Sequence, residues 1–451
     1  MTPNRRRVLT AVGAVLLTGC SELDSAPGEP ARTVTPVEVP QSAESTRRRV
    51  DNLAVPEIPA SVVVTDEHRR AVTAAVEELV ETAEREFEAA KDVELAAIED
   101  EIRNSQDPFN VARLILQRLR MSQAPRTYRR LGQGFGDIGT ILGYVRAETG
   151  ELDVASLLQA MAETRTGVSS LRNDFDYRLA TPVQELFPTV VAAERALVYA
   201  ESTLQDARQA IERLDGATNP ESAAVGRAWG HLERTWLATR NAAGFLTTAT
   251  ESARSPRRDV IERAIETERE EAAAVEESQL TVADGAPASI RTSLREIRSR
   301  RSDLVTATIN ELAAGARAQG LFRAAKTRAE IEAFRVAVAA IEKRADEPDA
   351  PEERLLAARK AAIERLARLE SATPLQRQLG RFAAEMVRRA DRQRSGRPDG
   401  AVLTTRFMYV SARAFTDHML SRGASIAEAL GSGDSQASRG IAFAPDTTVE
   451  F

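Results

Sequence analysis

Several residue types are scarce in this sequence of 451 residues, and each scarcity excludes a class of protein. The single cysteine, Cys20, leaves no pair for an intramolecular disulfide and no thiolate metal cluster. Histidine occurs three times, at His68, His231 and His418. Neither the HExxH nor the ExxH spacing is present, which argues by motif against zincin peptidases and ferritin-like di-iron centres. We therefore expect no metal, no cofactor and no catalytic residues.

The abundant residues predict an all-α protein. Aromatic residues make up only 4% of the chain, so the core must be built from Ala, Leu, Val and Ile. Alanine, glutamate, arginine and leucine dominate, and all four favour helix. Apolar residues recur every three or four positions, as at Val72, Val76, Val80 and Ala83, which predicts one helix from about Asp66 to Arg103. The expected fold is an elongated bundle of long amphipathic helices, coiled-coil-like in part.

Helix boundaries are marked by a capping residue followed directly by proline. Proline loses nothing at the first helical position, because its missing N–H would have no partner there. Glutamine three residues after a threonine cap, at Gln184 and Gln376, completes a capping box. Pro188 predicts a break or kink, and residues 394–400 predict a loop. The five junctions are Asp107-Pro108, Thr181-Pro182, Asn219-Pro220, Ser255-Pro256 and Thr373-Pro374.

The composition along the chain predicts five regions. Residues 1–19 form a signal peptide, and residues 20–64, rich in Pro, Ser, Thr and Glu, form a disordered tether. Residues 65–283 and 284–430 form the two halves of the helical bundle. Residues 431–451 form a disordered tail, because they are rich in Gly and Ser and carry no cap.

The charge balance disfavours nucleic acid as the main partner. The formal net charge is −6, and loss of Arg5, Arg6 and Arg7 with the signal peptide makes it −9. The arginine clusters at 47–49, 291–301 and 388–397 are interpreted as solvated helix faces, with contact to anionic lipid or an acidic cell-wall layer as the alternative. The triplet at 47–49 is the best placed of the three for that contact. The acidic residues between 262 and 277 are interpreted as a hydrated surface.

The N-terminal residues have the organisation of an export signal. Three arginines precede an apolar stretch, Val8 to Leu17, that is too short to span a bilayer. Leu17, Thr18 and Gly19 then lead directly to Cys20. Within residues 5–9, two arginines are followed by a variable position and then by two apolar residues. The flanking positions, where Ser and Lys are usual, are occupied by Asn4 and Thr10.

These motifs resemble those of lipobox-bearing lipoproteins exported through the twin-arginine pathway, in which Arg5 and Arg6 form the export motif. Sec export remains the alternative. Lysine accounts for only four of the 61 basic residues, which resembles haloarchaeal usage, although another GC-rich source remains open. The resemblance implies a diacylglyceryl group on Cys20, a membrane partner and a location at the outer face of the cytoplasmic membrane. It covers about twenty residues, and we recognise no family for the helical body.

Small residues mark a predicted packing face. Gly132, Gly136, Gly139 and Gly143 lie close to one helix face and form two GxxxG pairs. Four glycines cost a helix roughly 3–4 kcal/mol relative to alanine, so close approach of another helix should offset that cost. Self-association and intramolecular packing are both open. A literal GxGxxG at 134–139 is not expected to bind nucleotide, because no buried strand precedes it.

A second candidate site lies at Trp229, His231 and Trp236, where a pocket between helices could hold a small ligand. The alternative is that the tryptophans belong to the core and the histidine to a helix surface. The sequence as a whole predicts a non-enzymatic, lipid-anchored module at the cell surface that binds or scaffolds a protein or another envelope component. A ligand-binding or sensing bundle is the second hypothesis, and an enzyme assembled from distant residues is the third.

Overall fold

We describe the protein from a computed structural model. All described residues lie within one compact unit, residues 46–451. The structure describes residues 53–58, 62, 64–90, 93, 108–121, 125–175, 177, 183–215, 220–250, 258–282, 286–308, 315–342, 351–396 and 402–431.

The described residues form twelve α-helices and two short 3-10 turns, without a strand, which confirms the all-α prediction. The first six helices are α1 Asp66–Ala89, α2 Pro108–Met121, α3 Pro125–Glu148, α4 Val154–Asp174, α5 Val183–Leu214 and α6 Ser222–Thr250. The other six are α7 Arg258–Ala274, α8 Ala288–Thr306, α9 Arg317–Glu342, α10 Pro351–Ala367, α11 Pro374–Gly396 and α12 Val402–Gly431.

The helices bury a core made mainly of aliphatic side chains, as the low aromatic content predicts. Helix α6 packs along both α3 and α5, and α12 packs against α9, α10 and α11. The predicted apolar face of α1 is buried at Val72, Val76, Val80 and Ala83. Helix α9 also packs on α5 and α7, so contacts cross residue 284. The division of the bundle at that residue stays a prediction.

The capping box predicted at Thr373 is confirmed. The Thr373 hydroxyl accepts the Gln376 N–H at 3.3 Å, and the Gln376 side chain accepts the Thr373 N–H at 2.9 Å. Pro374 occupies the first position of α11, where it costs no hydrogen bond. Four other junctions, including the Thr181–Gln184 box, lie wholly or partly outside the described residues.

Three boundary predictions need correction. The helix from Asp66 ends at Ala89 rather than near Arg103, because Ala90 leaves helical geometry at ψ 72. Pro188 does not break α5, since it lies in the second turn and removes only one backbone bond. Residues 394–396 continue α11 instead of starting a loop.

Helix α9 is fixed at its N-terminus by a carboxylate from α5. The buried Glu194 side chain accepts the backbone N–H groups of Ala318 at 3.1 Å and Gln319 at 2.6 Å. A carboxylate there satisfies free amides and complements the helix dipole. Tyr177, held at φ 59, donates to the Gly315 carbonyl at 3.2 Å beside this helix start. These contacts join segments more than 120 residues apart.

Candidate functional site

A groove of about 340 Å³ opens between the C-terminal end of α3, the first turns of α4 and the first half of α6. Trp229 and Leu152 contribute its apolar surface, and the remaining residues are mostly polar. The groove is lined by Arg146, Glu151, Leu152, Ser156, Gln159, Ala160, Glu163 and Trp229.

The turn between α3 and α4 positions one rim of the groove. Gly150 adopts φ 78, a conformation that favours glycine, and lets the chain reverse after α3. The Arg146 carbonyl accepts the N–H groups of Glu151 at 2.7 Å and Leu152 at 3.0 Å. Asp153 then caps α4 by accepting the Ser156 N–H at 2.7 Å. These bonds fix the backbone at Glu151, Leu152 and Ser156, three of the residues that line the groove.

Arg146 places a fixed positive charge at the groove. Its guanidinium donates to both carboxylate oxygens of Glu86, each at 2.8 Å, and lies 5.9 Å from the centre of the Trp229 ring. The hydrogen bonds to Glu86 raise the pKa of Arg146 further. The side chain is thus oriented from both sides before any ligand arrives, which lowers the entropic cost of using it for recognition.

Glu233 is a titratable group beside this arginine. Burial raises the pKa of Glu233 to about 7, and the charge of Arg146 opposes that shift. A carboxyl group with this pKa changes its charge near neutral pH. The electrostatic field at Arg146 therefore depends on pH in the neutral range.

The predicted glycine face lies at the crossing of α3 and α6. The Gly230 Cα lies 3.3 Å from the position that a Cβ at Gly139 would take, and the Gly226 Cα lies 3.1 Å from the equivalent position at Gly143. A Cβ at Gly230 would lie 2.6 Å from the Gly136 carbonyl oxygen. Both helices contribute small residues, so their backbones approach closely within one chain. Gly132 instead faces Tyr199 of α5.

Within this crossing lies a partly buried ion pair. Arg234 of α6 lies 3.8 Å from Asp137 of α3, and its guanidinium occupies the space that a side chain at Gly136 would need. Gly136 therefore leaves space for a charged side chain, whereas Gly139 and Gly143 leave space for the backbone of α6.

The three residues of the predicted pocket do not share one site. Trp229 lines the groove, whereas Trp236 is 41% exposed and stacks on Phe135 of α3 with the ring planes 13° apart. Arg240 lies over the Trp236 ring at 5.2 Å. His231 is half-buried and does not line the groove. Sequence reasoning missed Arg146 and the α4 rim, since neither carries a local motif.

A second charged cluster lies where α7, α9 and α12 meet, and it corrects the interpretation of residues 262–277 as uniformly hydrated. Glu268 is only 2% exposed, and its carboxylate lies 3.4 Å from the Arg422 guanidinium. Arg422 also pairs with Glu271, which Arg328 approaches at 3.7 Å. Burial raises the pKa of Glu268 to about 7.

His418 belongs to the same cluster. Burial, followed by the charge of Arg328, lowers the pKa of His418 to about 4, so its ring is neutral at physiological pH. Arg328 also forms an ion pair with Glu332 at 2.5 Å. These groups come from three helices, so helical spacing within one segment could not reveal them.

The export and lipidation residues Arg5, Arg6, Leu17, Thr18, Gly19 and Cys20 lie outside the described residues. No helix among the described residues combines the length and apolarity needed to cross a membrane. In the same part of the chain, no three His, Cys, Asp or Glu side chains are grouped to hold a metal ion.

Part of the helical body is similar to a known domain family. Residues 67–256 match the model of a domain of unknown function, DUF8262. The matched region covers helices α1 to α6 apart from Asp66, and it contains every residue that lines the groove. No curated protein and no solved structure matches the chain.

Proposed function

We propose that this protein is a lipid-anchored module at the outer face of the cytoplasmic membrane, which binds or scaffolds a protein or another envelope component without catalysis. The observation that carries the proposal is the sequence Leu17-Thr18-Gly19-Cys20 at the end of a short apolar stretch behind three arginines. The thiol would carry the lipid, and two acyl chains make a stable anchor where one would be marginal.

The groove supports the binding part of the proposal. It brings together a guanidinium, two carboxylates, an amide and an indole, a set that can contact the backbone and side chains of a polypeptide. Arg146 and Trp229 belong to the residue types that dominate binding energy at protein interfaces. We assign the envelope partner to this groove.

The anchoring part is tested by a Cys20→Ser variant expressed in native cells. The parent protein, with Cys20 intact, should remain with membranes washed in about 1 M salt. At that concentration the Debye length is only about 3 Å and electrostatic contacts are screened. The variant should leave the membrane in that wash. A variant that stays with salt-washed membranes would refute lipid anchoring.

The binding part is tested by site-specific photo-crosslinking in intact cells. A crosslinking amino acid at Gln159, exposed at the groove rim, should capture one dominant envelope protein or polymer. The matched control is Ser169, which is exposed on the same helix but outside the groove. Equal capture at both positions would contradict a specific site.

The second candidate function is a sensor of a small ligand. The volume of the groove, about 340 Å³, is at the small end of the range for ligand sites, and this observation favours the alternative. A sensor would give no crosslink at Gln159. It would show ligand-dependent stabilisation that a Trp229→Ala variant loses.

A further inference from the structure

Two regions of the helical body differ in charge. Residues 67–256, the region matched by the family model, contain 22 basic and 29 acidic residues. Residues 351–431, which form α10 to α12 with their connections, contain 15 basic and 9 acidic residues. The chain is acidic overall, so its basic residues are concentrated in a region that the net charge does not reveal.

Much of this positive charge lies along one side of α11. Arg377, Arg381, Arg388 and Arg392 follow one another at spacings of four, seven and four residues, with Arg389 beside them. Residues this far apart lie on one helix face about 22 Å long. We call these five residues the arginine stripe.

The stripe carries more positive than negative charge in the described part of the chain. Glu385 pairs with two of its arginines, lying 2.8 Å from Arg392 and 3.9 Å from Arg388. The Arg392 side chain remains 64% exposed. Burial, and to a lesser extent the charge of the neighbouring Arg377, lowers the pKa of Arg381.

The chain that leads to Cys20 is fixed to this same region. We call residues 53–58 the strap. Its Leu53 carbonyl accepts a hydrogen bond from Arg359 of α10 at 3.0 Å, and its Ile58 carbonyl accepts one from Arg381 of the stripe at 3.2 Å. Ile58 is buried, which adds apolar contact.

Arg359 is itself held in place. It donates to both carboxylate oxygens of Asp391, at 2.9 and 3.0 Å, and Tyr409 donates to the same carboxylate at 2.5 Å. The strap is therefore fastened to a rigid ionic group. Cys20 precedes Leu53 by 33 residues, which reach at most roughly 115 Å when fully extended.

We propose that the arginine stripe of α11 is a membrane-contact surface that binds anionic lipid headgroups. This inference rests on the proposed lipid anchor, because the strap joins the anchor to the helix that carries the stripe. Juxtamembrane arginines are attracted to anionic lipid over about one Debye length. Residues 67–256, which contain the groove, are acidic on balance and are repelled by the same anionic surface.

The test uses the full-length Cys20→Ser chain, so that no acyl group contributes. The protein is floated with vesicles of phosphatidylcholine alone or of phosphatidylcholine mixed with phosphatidylglycerol. Binding should occur only to the anionic vesicles and should weaken steeply with salt. Equal binding to both vesicle types, or none to either, would overturn the proposal.

A triple variant, Arg388→Gln, Arg389→Gln and Arg392→Gln, locates the surface without touching the strap contacts. Binding should be roughly a hundredfold weaker, or about fivefold for each arginine removed. The matched control removes Arg208, Arg213 and Arg227, which are exposed on α5 and α6, and should bind like the parent chain. An equal loss in both triple variants would reduce the effect to net charge and refute the stripe.

Three further outcomes distinguish the lipid surface from an acidic polymer and this inference from the lipid anchor. Binding to soluble polyglutamate but not to anionic vesicles would assign the stripe to an acidic polymer and overturn the lipid proposal. Two results together would refute the stripe and support the lipid anchor. The Cys20→Ser chain would not bind the vesicles, and in native cells the salt wash would release that variant but not the parent protein. If that variant withstands the salt wash, the anchor itself is refuted.

Discussion

Helices α1 to α6 and helices α7 to α12 pack by different means. In the first region α3 and α6 approach through glycines, and the crossing leaves no space for a methyl group at Gly230. In the second region α12 meets α7 and α9 through buried arginines and carboxylates. The first arrangement depends on shape and tolerates little added volume, whereas the second depends on charge balance and tolerates little loss of a partner.

Loss of a charge should have the largest effect on the second region. An Arg422→Ala variant leaves Glu268 buried without its guanidinium, and we expect the free energy of unfolding to fall by about 3–5 kcal/mol. Chemical denaturation would measure it. Arg392→Ala is the matched control, because its ion pair is exposed and should contribute less than about 1 kcal/mol. Equal losses of unfolding free energy in the two variants would show that the Arg422–Glu268 pair stabilises the protein no more than an exposed ion pair does.

Added volume should have the next largest effect, on the first region. A Gly230→Ala variant would place its Cβ 2.6 Å from the Gly136 carbonyl oxygen, so α3 and α6 must separate, at a cost of about 3 kcal/mol. Thermal unfolding would detect the loss. A Gly167→Ala variant on α4, where no atom lies within 4 Å, should instead stabilise the protein by about 0.5–1 kcal/mol. Stabilisation by both changes would contradict the close crossing.

Each region also contains a carboxyl group that should make stability depend on pH. The pKa of Glu233 and that of Glu268 are each raised to about 7 in the folded protein, so the folded state holds extra protons above the ordinary glutamate range. The stability that these two carboxyl groups contribute is therefore fully present below pH about 4.5 and is lost as the pH rises towards 7. Glu233→Gln and Glu268→Gln should each become more stable relative to the parent chain over that interval. Parallel stability curves would contradict the raised pKa values.

In the second region, His418 changes the pH dependence of stability in the direction opposite to that of Glu268. Because its pKa is lowered to about 4, the unfolded chain binds an extra proton between pH about 6.5 and 4, and stability falls as pH falls through that range. His418 and Glu268 therefore partly cancel. A His418→Gln variant should reveal the slope due to Glu268, with stability decreasing more steeply from pH 4.5 to 6.5. An unchanged slope would separate His418 from this cluster.

The smallest expected effect comes from the capping box of α11. A Thr373→Ala variant removes the hydroxyl that accepts the Gln376 N–H and should cost about 1 kcal/mol. The measurement is urea denaturation. A Ser371→Ala variant provides the control, because Ser371 is exposed and lies just before the helix. A loss no larger than that of the control would show that the box does not stabilise α11.

Local features of the fold were predictable from the sequence, and contacts between distant segments were not. The Thr373–Gln376 box and the buried face of α1 depend on residues three or four positions apart, and both predictions are confirmed. The end of α1 at Ala89 was missed because the alanine-rich and glutamate-rich residues beyond it still favour helix. Propensity alone could not reveal where the chain turns.

The same distinction applies to the candidate site, where spacing within one helix was predictable and contacts between helices were not. The GxxxG spacing on α3 predicted a packing face, and Gly226 and Gly230 repeat it on α6, a signal available in the sequence that we did not interpret. The pairing of Arg146 with Glu86, and of Arg422 with Glu268, joins residues 60 and 154 positions apart. Helical periodicity carries no information at those separations.

Mass spectrometry of the N-terminal peptide from membrane-extracted protein tests the central claim most directly. The account predicts a mature chain that begins at Cys20 and carries a diacylglyceryl group on its sulfur. An unmodified peptide that continues from Gly19 through Cys20 would contradict the anchor, and with it the proposal of a lipid-anchored surface module.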